Sequence, residues 1–384
     1  MSWARVRKWG GRGALSFLLL AIVRLGWHLA FLDDARAILD ARAERDLVSR
    51  RDYLNLHLGE VGAAPGDPQF AGEWTIVTIS MSAAAAAGIG FDHPQTVPDD
   101  LALAARALTL ADDPRARAFD TARWGGDALD TLDGPDAHIG YLGHFGIALE
   151  AYRLLGGRDK AWLALESRVA DALARRVQNW PTPFLPTYPG ETYVADNSVV
   201  LAVIALSDVG RAPAHAALLA RAISYSRTHL VDRGTGVLDF SVGEDGEGKG
   251  GARASGAAWS VYYLAFVDMA FAREQAEALR AFRKKLWPGA EAMCERATCD
   301  GQGDVDSGPL VFGTSPAATG FAMAAARSLG DAEWLGGLLS TAEWVGVVTP
   351  GPRRHYLTAP LVGNAIVLAM MTSRPWDDRY VATR

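Results

Sequence analysis

The sequence predicts an all-α protein, an (α/α)6 toroid in which two concentric rings of helices follow an N-terminal membrane-anchor helix. Three observations predict this fold. Alternation with a period of two residues is scarce along the 384 residues, which disfavours strands. Apolar stretches rich in small residues alternate with stretches rich in Arg, Ala and Glu. Helices that are apolar on every face must be buried, and helices with one charged face cover them, so six such pairs can close into a ring.

The positions of the helices follow from these two kinds of stretch. The first apolar stretches begin about 55–70 residues apart, and the last interval is shorter. We expect inner helices at residues 72–87, 140–155, 196–209, 253–269, 315–329 and 359–372. We expect outer helices at residues 99–111, 114–131, 159–178, 212–230, 271–287 and 331–345. An open α-solenoid is the alternative, although solenoid repeats are usually shorter and more regular.

Composition limits the class of protein. Hydrophobic residues make up 49% and charged residues 21% of the chain, which is enough apolar material for a large core. The net charge of −6 argues against nucleic acid as a partner.

The N-terminus has the pattern of a signal anchor. Four basic residues within the first 12 positions precede the apolar run Ala14–Val23, and apolarity resumes after Arg24 as far as Leu32. A bilayer span needs roughly 20 residues, and Arg24 near its centre costs about 2.5–3.5 kcal/mol. We expect residues 1–33 to be a single-pass inner-membrane anchor and residues 34–384 to be one toroid domain in the periplasm. A soluble amphipathic leader helix is the alternative.

The two cysteines agree with export. Cys294 and Cys299 are separated by four residues, which predicts a local disulfide in an oxidising compartment. Two incidental buried thiols are the alternative. The spacing disfavours a redox or zinc site, and the sequence predicts neither a metal nor a cofactor.

The loops that precede the inner helices carry unusual residues, whereas the opposite loops are short. We expect these longer loops to gather at one mouth of the ring, with the glycine-rich stretch Gly243–Gly251 as a mobile loop over it.

The stretch Phe184–Leu206 carries the main candidate chemistry, because a polar loop there leads into an apolar helix. Glu191 and Asp196 are the candidate acid and base, since two carboxylates in a desolvated bowl have their pKa values pushed apart. Asp196 could instead be the N-cap of its helix. His144 is the candidate proton shuttle, although a lone histidine on an apolar helix is more often a satisfied core residue.

The candidate substrate-binding residues lie on or near the same loops. Aromatic faces can stack on sugar rings or enclose terpenoid chains, and an arginine suits an anionic or polyhydroxylated ligand. These residues are Tyr141, Tyr188, Tyr193, Asn197, Arg253, Trp74 and Asp306. Aromatic residues also fill cores, and Asp306 could belong to a polar turn held by the disulfide.

Three segments resemble the linalool dehydratase/isomerase-like family. They are GYLGHFGIALEAYRLLGG, YPGETYVADNSV and DSGPLVFGTSPAATGFAMAAAR. The resemblance covers roughly residues 50–372 and implies an (α/α)6 fold, a periplasmic location and acid–base dehydration or isomerisation of a terpene alcohol. It places His144 where a catalytic histidine is expected. The family has cysteines in the loop before the third inner helix, whereas this chain has Glu191 and Asp196 in that region.

Three functions are compatible with these observations. The first is general acid–base catalysis on a hydroxylated substrate, with a glycan as the expected class and a hydrolase, lyase or epimerase as the enzyme type. The second is a hydro-lyase or isomerase acting on a terpenoid alcohol. The third is a non-catalytic protein that binds an envelope component.

Overall fold

The computed structural model describes residues 25–61, 67–287, 289–304 and 306–381. These residues form 14 helices and five short strands, so the predicted all-α class is confirmed in its main feature. The first helix, α1, is described from residue 25 to residue 39. The other helices are α2 Glu44–His57, α3 Pro68–Asp92, α4 Val97–Ala111, α5 Ala118–Trp124, α6 Ile139–Leu154, α7 Lys160–Asn179, α8 Val194–Ser207, α9 Ala216–Tyr225, α10 Ala254–Val267, α11 Met269–Ala278, α12 Pro316–Leu329, α13 Ala332–Gly346 and α14 Leu361–Met371.

Six of these helices contact one another in a closed order. Helix α3 packs against α6, α6 against α8, α8 against α10, α10 against α12, α12 against α14, and α14 against α3. Their sequences are largely apolar, and their side chains form most of the main hydrophobic core. The six helices begin and end within a few residues of the predicted inner helices, except for α3, which extends further at both ends.

Amphipathic helices cover this core from outside. Helix α4 packs on α3, α7 on α6 and α8, α11 on α10 and α12, and α13 on α12. Their starts follow ordinary capping rules. The Asp159 carboxylate accepts from the amides of Ala161 and Trp162 at α7, and the Asp331 carboxylate accepts from the amide of Trp334 at α13.

The strands lie in the loops. Strands β1 Asp239–Val242 and β2 Gly248–Ala252 form an antiparallel hairpin, so most of the expected mobile loop is ordered as a strand and a tight turn. Strands β3 Arg283–Trp287, β4 Ala290–Cys294 and β5 Thr314–Ser315 form a second antiparallel sheet. The predicted outer helix at residues 271–287 therefore ends early and continues as β3.

The predicted disulfide is present. Cys294 and Cys299 are bonded, with their Cα atoms 4.9 Å apart. Cys294 also pairs with Thr314 across β4 and β5. The bridge therefore fixes the base of the loop that leads from β4 to α12.

Only a small part of the predicted N-terminal membrane anchor lies among the described residues. Residues 1–24, which hold most of the expected anchor, lie outside the described residues. Residues 25–39 form one continuous helix, which runs through the expected domain boundary at residue 33. Of the described helices, α3 is long and apolar enough to cross a bilayer, and most of it is buried inside the protein.

Close packing between inner helices gives the first testable prediction. A Cβ atom built on Gly146 of α6 would lie 2.7 and 2.8 Å from the two methyl carbons of Val203 on α8. Gly146→Ala is therefore expected to lower the free energy of unfolding by about 1–3 kcal/mol, because Val203 is branched and cannot move aside cheaply. Gly320→Ala on α12 is the matched control, since its nearest atom, a methyl carbon of Val367, is 3.5 Å away. Urea denaturation measures both, and equal effects would contradict the prediction.

Candidate functional site

A cavity of about 400 Å³ opens at one end of the six core helices. The N-terminal turns of α3, α6, α8 and α10 line it, together with Phe321 of α12. Three loops contribute as well: the segment before α8, the β1–β2 hairpin, and the segment before α12. Three of the loops before inner helices, those that lead into α8, α10 and α12, therefore meet at a common cavity.

Most of the predicted site residues line this cavity. They are Trp74, His144, Tyr188, Glu191, Tyr193, Asp196, Arg253 and Asp306. Tyr141 and Asn197 are the exceptions. Tyr141 is fully buried and its hydroxyl donates to the carbonyl of Ala111 at 3.0 Å, so its position does not support substrate binding.

Asn197 braces the loop before α8 instead of facing the cavity. Its Oδ1 accepts from the amide of Leu185 at 2.7 Å, and its Nδ2 donates to the carbonyls of Leu185 and Tyr193 at 2.9 and 2.8 Å. These bonds hold the ends of the loop together. The loop then presents Tyr188, Glu191 and Tyr193 to the cavity.

Asp196 is not the cap of its helix. Helix α8 begins at Val194 after Tyr193, and no side chain caps it. The carboxylate of Asp196 instead accepts a hydrogen bond from the Thr187 hydroxyl at 2.9 Å across the loop. This side chain is therefore held toward the cavity, and the capping alternative is excluded.

The surroundings of Asp196 favour a protonated carboxyl. Burial raises the pKa of Asp196 to about 7, and the nearby carboxylates of Glu73 and Asp306 raise it further, against the lowering effect of the Thr187 hydroxyl. At neutral pH this group is therefore close to half protonated, which lets it both donate and accept a proton.

Asp306 belongs to the same acidic cluster. Burial raises the pKa of Asp306, Glu73 and Glu295 raise it further, and Arg253 lowers it. Glu73, Asp196 and Asp306 are thus three carboxyl groups that affect one another electrostatically within one cavity. We refer to these three residues as the carboxyl cluster.

Glu73 was missed by the sequence reasoning. The Tyr188 hydroxyl donates to Glu73 Oε1 at 2.5 Å, and the Gln69 side-chain amide donates to the same oxygen at 2.7 Å. Glu73 lies near the start of the apolar helix α3, just before Trp74. That is the same signal that singled out Asp196, so the sequence contained the information needed to find it.

Glu191 lies at the cavity wall in an ion pair with Arg123. Arg123 donates to its Oε1 at 2.5 Å and the Tyr193 hydroxyl donates to its Oε2 at 2.9 Å. The Arg123 guanidinium also lies over the Tyr188 ring, 4.4 Å from its centroid. Both carboxylate oxygens of Glu191 are therefore engaged, and the groups that raise the pKa of Asp196 are Glu73 and Asp306 instead of Glu191. Arg123 lies on α5, and nothing in the sequence marked it as a site residue.

Arg253 closes the opposite side of the cavity. Its guanidinium lies 4.0 Å from the centroid of the Phe240 ring and forms an ion pair with Asp304. The Nε atom of Arg253 is buried without a hydrogen-bond partner. The Asp304 carboxylate also accepts from the amides of Asp306 and Ser307, at 3.1 and 2.9 Å, which fixes the turn that carries Asp306.

His144 is neutral. Burial lowers its pKa to about 3, and its Nδ1 atom is buried without a partner. Its ring makes edge contacts with Trp259 and Tyr263, with centroids 5.6 and 6.5 Å away. Burial thus favours the neutral imidazole, whose polar edge faces the cavity, and the proton-shuttle role stays a prediction.

Aromatic and apolar side chains form the rest of the walls. Trp74, Tyr188, Tyr193 and Trp259 belong to the aromatic residues that the sequence places near the mouth loops, and all four line the cavity. Phe70, Phe240 and Phe321 also line it, and the sequence did not mark them as site residues. Within the described ranges, no group of three or more His, Cys, Asp or Glu side chains is arranged to hold a metal ion.

No protein-family model matches the chain, and no curated protein matches it. The resemblance to the linalool dehydratase/isomerase-like family therefore stays a prediction.

Proposed function

We propose that the protein is an enzyme that uses general acid–base catalysis on a hydroxylated substrate, with a glycan as the substrate class. The observation that carries this proposal is the carboxyl cluster. Asp196 titrates near neutral pH, lies beside two further carboxyl groups and is held by Thr187 in a cavity with aromatic walls. Perturbed carboxyl groups in a concave site are the usual arrangement for proton transfer.

The roles follow from the contacts. Protonated Asp196 donates a proton to the leaving oxygen of the substrate, and an ionised carboxylate of the cluster stabilises positive charge or activates water. Trp74, Tyr193 and Phe240 offer faces for sugar rings. The Arg123–Glu191 pair and Arg253 offer donors and acceptors for hydroxyl groups.

The fold and its cellular location complete the proposal. The closed contact order of the six core helices supports an (α/α)6 toroid. The disulfide and the basic, apolar N-terminal sequence support an exported protein that is anchored in the inner membrane, with its catalytic domain in the periplasm.

A hydro-lyase or isomerase acting on a terpenoid alcohol is the second candidate. Val77, Trp259 and Phe321 make part of the cavity apolar, and His144 lies neutral among them. A terpenoid chain would fit such walls, and the acid–base step on its hydroxyl would again use Asp196. The third candidate, a non-catalytic envelope-binding protein, predicts binding without turnover.

The test is a turnover screen of the full chain against two panels. One panel contains periplasmic-type oligosaccharides and polysaccharides, and the other contains acyclic terpenols. We expect product formation in the glycan panel that disappears in Asp196→Asn. Turnover of terpenols alone would replace the first candidate by the second, and binding without turnover in both panels would overturn the catalytic proposal.

A further inference from the structure

A group of exposed apolar side chains lies at the end of α13 and on two loops at the cavity end of the protein. Phe312 is 84% exposed, Leu357 65%, Trp344 60% and Val345 56%, and Val347 is half exposed. We refer to these five residues as the rim patch. Single exposed apolar residues are normal, but several on neighbouring segments indicate an interaction surface.

The parts of the rim patch are connected. The Leu357 amide donates to the Val347 carbonyl at 3.2 Å, and the Thr358 hydroxyl donates to the Val345 carbonyl at 2.9 Å. The Trp344 ring packs on Trp287 of β3 at 4.7 Å between centroids. The same strand reaches Phe312, because the Lys284 ammonium donates to the Phe312 carbonyl at 2.6 Å.

Backbone strain supports a functional reading of the patch. Phe312 and Val347 both have φ of 52°, in the left-handed region. A bulky or β-branched residue is rarely found there, and the conformation costs about 1–3 kcal/mol. Glycine would relieve this strain, yet the chain places a phenyl ring and a valine at these exposed positions. The fold alone therefore does not explain why Phe and Val occupy these two positions, and contact of their side chains with a binding partner would.

The rim patch and the cavity face the same end of the protein. Phe312 lies on the loop before α12, which also carries Asp304 and Asp306 of the cavity. Val347 and Leu357 lie on the loop before α14. Helix α14 runs parallel to α3, because Arg374 just after α14 donates to the carbonyl of Phe91 at the end of α3. The loop before α14 therefore lies at the same end as the start of α3, which lines the cavity.

Helix α1 brings the N-terminal segment to this patch. Trp27 Nε1 donates to Ser340 Oγ at 2.9 Å, and Phe31 contacts Gly336, so α1 runs antiparallel to α13. The start of the described chain at residue 25 thus lies toward the end of α13 that carries Trp344. The 24 residues that precede it have a basic stretch followed by the apolar run Ala14–Val23.

Exposed basic side chains lie on the same segments as the patch. Lys285 is on β3, two residues before Trp287, and Arg353 is on the loop that also carries Val347 and Leu357. Surfaces that insert into the interface of anionic bilayers typically combine apolar side chains with lysine and arginine. Tryptophan is also preferred at that depth of a membrane.

We propose that the rim patch docks on the surface of a lipid bilayer, on the side of the protein where the described chain begins at residue 25. Docking turns the mouth of the cavity toward the membrane. The substrate class that this geometry fits is then an amphiphile held in the bilayer, whose polar head carries the hydroxyl groups. The docking itself does not depend on the proposed catalysis, whereas the choice of substrate does.

Depth measurements on the full chain test the docking. Single substitutions Phe312→Cys and Leu357→Cys each provide one site for a nitroxide label, because both native cysteines form the disulfide. Lys160→Cys is the control, since Lys160 is exposed at the start of α7, at the opposite end of the core helices. The labelled proteins are reconstituted in vesicles of phosphatidylethanolamine and phosphatidylglycerol, and circular dichroism checks their fold.

We expect the ratio of oxygen to nickel-chelate collision rates to be several-fold higher at positions 312 and 357 than at position 160. Equal ratios at all three positions would overturn the proposal. Low rates for both reagents, with spin–spin broadening, would show that the patch contacts a second copy of the chain, and would overturn it as well. The measurement needs no turnover, so its failure is distinct from a failure of the proposed catalysis.

Discussion

Replacing Asp196 by asparagine is expected to lower turnover of the substrate by about 10²–10⁴-fold, the usual contribution of a general acid or base. Asparagine has nearly the same shape and can still accept the hydrogen bond from Thr187, but it cannot exchange a proton. Steady-state rates of the purified full chain measure the effect. Far-ultraviolet circular dichroism of the variant should be unchanged.

Two matched variants identify the cause of that loss. Asp171→Asn removes one negative charge from the exposed face of α7 and should leave the rate unchanged. Glu191→Gln keeps the side-chain length but weakens the ion pair with Arg123, so it should act mainly on KM. Undiminished turnover in Asp196→Asn, or a larger loss of kcat in Glu191→Gln, would exclude Asp196 as the proton-transfer group.

The pH profile of the wild-type rate shows which step Asp196 performs. Burial raises its pKa to about 7. Because Asp196 acts as the proton donor in the proposed mechanism, we expect the rate to fall as the pH rises through about 7, where the protonated fraction is lost. A rate that falls as the pH drops through the same value would show that Asp196 accepts the proton instead.

The core helices could be predicted from sequence because they are buried on all faces. Such helices carry almost no charged residues, so their apolar stretches stand out, as in Val194–Ser207 and Leu361–Met371. Their partners in the ring could only be inferred. The loops were harder, because strand pairing such as that of Asp239–Val242 with Gly248–Ala252 joins segments whose own sequences are rich in glycine.

Part of the candidate site could be predicted from the sequence for the same reason. A charged residue at the start of an apolar helix stands out, and this rule identified Asp196 and would also have identified Glu73. Arg123 could not be found this way, because it reaches the cavity from the outer helix α5. The neutral state of His144 was also beyond the sequence, since it depends on which residues surround the ring and on the lack of charge near it.

The second large effect concerns stability. The free energy of unfolding is expected to fall as the pH rises from about 4 to about 7, because Asp196 ionises in the unfolded chain over this range but stays protonated in the folded protein. Its pKa is about 7 in the folded state against an ordinary value of 3.8. A raised folded-state pKa leaves stability intact below the unfolded-state value and removes it as the pH rises through the folded-state value. The shift corresponds to about 4 kcal/mol at most.

Asp196→Asn isolates this contribution, since Asp100 and other buried carboxyl groups have raised pKa values too. Urea denaturation at pH 4, 6 and 8 should show the variant gaining stability over the wild type as the pH rises, whereas Asp171→Asn should follow the wild type throughout. A difference between variant and wild type that stays constant with pH would refute a buried, titrating Asp196. A variant that is slower in turnover and yet more stable at pH 8 cannot owe its lost activity to misfolding. We expect both effects, lower turnover and a higher free energy of unfolding, because burial of the Asp196 carboxyl favours catalysis and destabilises the folded protein.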